Sequence, residues 1–155
     1  MSQPAPETGA APGAWVDPYR AHNFKLMIQG VTEGHFIECT GPTVTINTVE
    51  YREAGQSQVV HKVPTITTYG DVVLRYGLTN SRQLWTWFLA TARGEVRRQN
   101  VSIVLLDSVG TTPVVQWDLV GALPVKWGGP TLRADAREIA VEEIVLSYET
   151  LDRAS

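Results

Sequence analysis

The sequence predicts a mainly β domain: a two-sheet sandwich or barrel with one flanking α-helix and an extended polar hairpin arm. Three observations carry this expectation. Alternating or β-branched runs recur along the chain, separated by glycine and proline turns. A single segment, TNSRQLWTWFLATARG, has helical periodicity. Residues 50–62 lie in extended-looking sequence yet have almost no apolar face of their own. A strand that cannot bury a face within its own domain usually buries it, or pairs an edge, against something else. That points to an assembly subunit rather than an enzyme.

The start of the chain, MSQPAPETGAAPGAW, has neither a basic leader nor a continuous apolar stretch. It reads as a flexible tail over residues 1–14 rather than a secretory signal, leaving 15–155 as one domain. NFKLMIQG then places Phe24, Leu26 and Ile28 on one face and Asn23, Lys25 and Gln29 on the other. HFIECT is a short apolar strand run. TVTINTVEY alternates, with Val44 and Ile46 opposing Thr43, Thr45 and Asn47. After the polar stretch, with Gly55 free to make a tight turn, comes DVVLRYG.

The helix has candidate caps at Thr79, Asn80 or Ser81, and Asn80 with Gln83 fits a capping box. Trp85, Phe88, Leu89 and Ala92 form an apolar stripe. Burial of Trp85 and Phe88 is expected to contribute several kcal/mol, at about 25 cal/mol per Å². Arg93 suits the negative end of the helix dipole, and Gly94 can adopt the left-handed stop.

VSIVLLD reads as buried on both faces, and DSVGTT as a hairpin connection into VVQWDLVG. Pro124 is disfavoured inside a central strand, so VVQWDLVGALPVKWGGP is a strand that bends or lies at an edge. Trp117 and Trp127 are either core residues or aromatic contacts between subunits. AVEEIVLSYE supplies a last alternating run.

The chain is 43% hydrophobic and 19% charged, with a net charge of −3. No global basic field exists to hold nucleic acid tightly. The lone cysteine, Cys39, excludes a disulfide within the chain and reads as a small buried hydrophobe. No apolar run approaches the roughly 20 residues needed to cross a bilayer, so no membrane insertion by the chain itself is expected.

Chemistry is sparse. His22, His35 and His61 form no ligand pair, and His35 with Cys39 offers two ligands on one strand face, a weak set. There is no G-x-S-x-G elbow and no P-loop. Asp107 and Asp118 face each other as a carboxylate pair only if the hairpin brings them together; solvated turn groups are the plainer reading. Asn100-Val101-Ser102 matches a glycosylation acceptor but lacks a secretory route. Arg93, Arg97 and Arg98 cluster around Glu95, either solvated or against an acidic neighbour. No catalytic residue, cofactor or metal is implied.

The ordered set DPYRAHNFKLMIQG, FIECTG, VEYREAGQ, HKVPTITTYGDVVLRYG, LWTWF, SIVLLD, WDLVGALPVKWGGP and EIAVEEIVLSYETL resembles the inner tail tube proteins of contractile phage tails and contractile injection systems. The resemblance spans Asp17 to Leu151. It implies hexameric rings whose strands join edge to edge around a lumen, stacked into a tube inside a contractile sheath. Contraction would drive that tube through a target envelope. Implied partners are further copies of the chain, the sheath protein, baseplate and tube-terminating proteins, and a lumen cargo of DNA or protein effector. Assembly is expected in the bacterial cytoplasm, in a tail or tail-like particle that can act extracellularly after release. Related tubes of type VI secretion and non-contractile tails share the fold and remain alternatives, as does, more distantly, a β-barrel ligand-binding module. The stretch Val49–Pro64 matches the family's extended loop, which implies a stacking role between rings or subunits for Glu50, Tyr51, Arg52, Glu53, Gln56 and Lys62. Their mixed charges suit a surface that finds register by complementarity; a solvated hairpin is the bland alternative.

Overall fold

The computed structural model describes residues 24–28, 31–33, 36–55, 58–77, 82–135, 137 and 139–154. Residues 1–14, Asn23, Gln29, His22, His35, Gln56 and the candidate caps Thr79, Asn80 and Ser81 lie outside them. The elements are β1 Phe24–Ile28, β2 Val31–Glu33, β3 Phe36–Thr40, β4 Thr43–Tyr51, β5 His61–Gly70, β6 Val72–Gly77, α1 Gln83–Ala92, β7 Gln99–Leu106, β8 Pro113–Gly128, β9 Val141–Ser147 and β10 Thr150–Ala154.

The strands form an open path β2-β1-β7-β8-β9-β6-β3, with β10 also on β8, and a separate β4-β5 ribbon. β8 is shared by the two halves of this sandwich. Up to Ala122 it pairs with β7 and β10; from Leu123 it pairs with β9. Gly121 has φ +65°, and the ladder to β9 slips between Pro124 and Lys126. Proline, which lacks a ladder donor, is accommodated at that irregularity. The strand thus bends and, past Ala122, has a ladder partner on one side only among the described residues.

The core lies between the halves. Leu26, Ile28, Val101, Ile103 and Leu119 from one meet Val72, Leu74, Ile144 and Leu146 from the other. Each strand contributes alternate residues, as the pleat requires. β7 has no exposed residue from Val101 to Leu106, in line with its unbroken apolar run. Its turn into β8 is held by Asp107, whose Oδ1 accepts from the amides of Gly110, Thr111 and Thr112 at 2.8, 2.9 and 3.2 Å. These donors, Thr111 foremost, hold the Asp107 carboxyl below the usual carboxylate range.

The helix differs from expectation at its start and in its phase. α1 begins at Gln83 after Arg82, with no side-chain cap, so the Asn80–Gln83 capping box is not formed. Its buried residue is Trp87, flanked by half-buried Leu84, Phe88 and Thr91, whereas Trp85 is 38% exposed and Ala92 is exposed. The reason is a long-range hydrogen bond. Trp87 Nε1 donates to the Arg97 carbonyl at 2.7 Å, so this indole is buried with its polar atom satisfied. Trp85 instead packs edge-on against Trp127, ring centroids 4.7 Å apart. The helix stop is as expected. Gly94 has φ +91°, and Glu95 N and Gly94 N donate to the carbonyls of Ala90 and Thr91 in a Schellman closure.

Candidate assembly interface

The polar stretch forms the tip of the β4–β5 ribbon, and that ribbon is an outgrowth of the core. Cys39 pairs with Leu74 and Thr40 with Val73; across Gly41-Pro42 and Asp71 the same register continues as Thr43 with Gly70 and Val44 with Tyr69. Inside the body β6 is flanked by β3 and β9. Beyond Gly70 there is no third strand among the described residues, and the outer edges of β4 and β5 are open. All nine residues of β4 and the first eight of β5 are exposed. Nine extended residues reach about 30 Å. A lone two-stranded hairpin is marginal in water and offers two rows of unpaired backbone groups.

The root of this arm is anchored. Tyr148, 7% exposed and part of the core, donates its hydroxyl to the Thr43 carbonyl at 3.3 Å. Its ring meets Tyr69 edge-on at 5.8 Å. Burial pushes the Tyr148 phenol above its ordinary pKa. A Cβ on Gly70 would meet the Thr43 hydroxyl, so a side chain there requires the Thr43 side chain to turn away where the two strands leave the body. Tyr148→Phe is expected to keep the fold at a cost of about 1 kcal/mol. Urea melts would give that loss, and faster amide exchange from Thr43 to Tyr69 would locate it at the root of the arm.

Midway along the arm is a β-bulge. Ile46 pairs with Thr67 but Thr48 pairs with Pro64, so Thr65 and Ile66 together oppose Asn47. Thr65 Oγ1 donates to the Asn47 carbonyl at 2.9 Å, satisfying an acceptor at the irregularity. At the tip Glu50 pairs with Lys62 and Tyr51 with His61, and Arg52 and Glu53 lead into the turn at Gly55, φ +97°. The structure therefore brings Glu50, Tyr51, Arg52, Glu53 and Lys62 together, all exposed; Gln56 is not described. Among the described residues, none of these four charges joins an ion pair.

Sequence reasoning missed the apolar part of this surface. Val44, Ile46, Val49, Val63 and Ile66 are all at least 46% exposed. Alternation in TVTINTVEY marked a strand with an apolar face, but not that this face would be left open.

The other candidate groups are engaged elsewhere. Asp118 accepts from Ser102 Oγ at 2.6 Å and Gln116 Nε2 at 2.7 Å. It lies five rungs from Asp107 along the β7–β8 ladder, about 17 Å, so the two carboxylates do not meet. Burial, with Glu38 nearby, raises the Cys39 thiol pKa to about 11, which removes its nucleophilic character at neutral pH. Cys39 lines an apolar groove with Phe24, Ile37, Trp117 and Leu151, beside the outer edge of β3. No group of metal-ligating side chains exists among the described residues. Arg98 pairs with Glu149 at 3.1 Å and Arg97 with Glu95 at 3.7 Å. Trp117 packs against the core cluster. No described helix is long and apolar enough to cross a membrane.

The family model described as T4-like virus tail tube protein gp19 matches residues 20–152. No curated protein sequence matches the chain. Among solved structures, a chain of the anti-feeding prophage baseplate, 6-fold symmetrised, is 25% identical; the match covers 90% of this chain and 97% of that one, with a TM-score of 0.79. A chain of the sheath-tube complex of the extracellular contractile injection system PVC, in its extended state, is 21% identical over 97% and 99% of the two chains, TM-score 0.81. Hcp1 from Flavobacterium johnsoniae is 14% identical over 84% and 93%, TM-score 0.55. The last two likenesses show the fold alone.

Proposed function

The chain belongs to the T4-like virus tail tube protein family, and from that premise we propose that hexameric rings of it stack into the hollow inner tube of a contractile particle. The tube is sheathed, is driven through a target envelope on contraction, and conducts DNA or a protein effector. The role is structural rather than enzymatic. Sheath, baseplate and tube-terminating proteins are its partners, a reading supported by the sheath-tube and baseplate assemblies in which similar chains occur. Assembly takes place in the bacterial cytoplasm.

The observation that carries this reading is the arm: an exposed two-stranded extension of the core sheet with both edges open among the described residues. Such an edge is completed by another chain. Head-to-tail contacts between copies close a ring, and ring-on-ring contacts then propagate. Six-fold symmetry in the 25% identical neighbour supports the ring size. The weaker likeness to Hcp1 concerns the fold and leaves the contractile reading the better supported. The tip residues Glu50, Tyr51, Arg52, Glu53, Gln56 and Lys62 lie at the contact between rings.

Electron microscopy of the purified protein tests this. Stacked six-fold rings are expected; a strictly monomeric species at high concentration would overturn it. Arg52→Glu with Lys62→Glu is expected to shorten stacks while leaving folding intact. An unchanged tube yield in that variant removes the tip charges from the interface.

A further inference from the structure

The two halves of the sandwich share β8 along one side; along the other, β1 and β3 lie close without pairing among the described residues. The core is open at one end of that side, where inward residues lose their cover. In β1 Ile28 and Leu26 are buried but Phe24 is half-buried. In β7 Val101 and Ile103 are buried, and Leu105, opposite Phe24, is half-buried. In β8 Leu119 is buried and Trp117 half-buried. Phe24, Leu105 and Trp117, with Leu151, floor a groove of about 470 Å³ whose other wall is Ile37 and Cys39 of β3. The charge among the described lining residues, Glu38, is held by Arg75 at 3.3 Å. The groove therefore selects an apolar occupant, and its size suits a few side chains.

β1 runs inward from that open end, so the chain enters it at the mouth of the groove. Ahead of Phe24, Met1 aside, the large apolar and aromatic residues are Trp15, Val16 and Tyr19, in the run AWVDPYR. We propose that residues 15–19 of the same chain fill the groove and close the core there. Pro18 fixes its own φ and biases Asp17 towards the polyproline conformation, which has three residues per turn. At that period Trp15 and Pro18 share one side, Val16 and Tyr19 a second, and Asp17 and Arg20 the third. Two sides of the segment are apolar and suit the groove; the charged side is left to water. Reach allows it. At about 3.1 Å per residue, Tyr19 lies no more than about 16 Å from Phe24 and Trp15 no more than about 28 Å. Proline also lowers the freedom that the segment gives up when it docks. The domain then begins at Trp15, just ahead of the family match that starts at residue 20.

Cys39, on the groove wall, reports on its cover. The test uses the full chain, dispersed so that copies do not associate, and N-ethylmaleimide at alkaline pH, where the thiol reacts. Trp15→Ser with Tyr19→Ser is expected to speed labelling of Cys39 about tenfold or more, the effect of freeing a covered wall residue. Asp17→Ser with Arg20→Ser, on the side left to water, should keep the rate within about twofold. Urea melts establish that both variants are folded. If the first is not, Val16→Cys decides: diamide is expected to link it to Cys39 within one chain, giving a monomer that migrates faster without reductant. An unchanged rate in the aromatic variant, equal acceleration in both variants, or no disulfide overturns the docking. A disulfide-linked dimer places the segment in another copy's groove and overturns the same-chain assignment. Rings and tubes play no part in these measurements, so this inference and the tube reading stand or fall separately.

Discussion

Replacing residues 47–66 with Asn-Gly is expected to yield a folded monomer that forms no tubes. Ile46 and Thr67 are a ladder pair ahead of the bulge, so a two-residue type I′ turn can close the ribbon there. None of the described residues removed belongs to the core. Leu74, Leu119, Ile144 and Leu146, all without solvent exposure, keep their packing. The Tyr148–Thr43 anchor also remains. The melting temperature should move by no more than about 4 °C, the equivalent of roughly 1 kcal/mol in a domain of this kind. Tube yield should fall at least about a hundredfold, corresponding to loss of roughly 3 kcal/mol of contact per subunit. Electron microscopy and sedimentation velocity give the yield, and calorimetry gives the stability. Tubes of normal length from this variant would take the arm out of assembly altogether.

The largest effect on stability is expected at Trp87. Trp87→Ala removes a buried indole that joins α1 to the core cluster, and should cost about 3–5 kcal/mol. Trp87→Phe keeps most of the apolar volume and loses the 2.7 Å bond to the Arg97 carbonyl, a cost of about 1 kcal/mol beyond the packing change. Trp85→Ala should cost less than Trp87→Ala because Trp85 is 38% exposed and rests on Trp127 at the margin. Urea titrations of the three variants check this order. A larger loss at Trp85 than at Trp87 would reverse the phase assigned to the helix.

Much of the body was legible because its signals are local. Leu26 and Ile28 in β1, Val101 and Ile103 in β7, and Ile144 and Leu146 in β9 are buried at the alternate positions that the pleat dictates. Gly94 and the Asp107 turn followed from residue chemistry alone. The helix phase did not. Trp85 and Trp87 both fit an apolar stripe, and the choice depends on a carbonyl ten residues away. β10 was also missed: TLDRA has one half-buried residue, Leu151, and is a strand only because β8 stands beside it. In the candidate interface the tip charges were readable as a group without an apolar face. The exposed apolar residues of β4 change phase in the sequence between Ile46 and Val49. Which residues of β5 stand opposite them depends on the extra residue there, which only the pairing register reveals.

The uninterrupted register from β3 and β6 into the arm also has a mechanical side. A pull on the tip travels along the strand axis into β6, whose rungs to β9 run from Val72–Leu146 to Gly77–Val141. Those rungs lie across the direction of load, so they are strained together in shear instead of being peeled open one by one. A subunit tethered in this way resists extraction along the arm far better than sideways tearing.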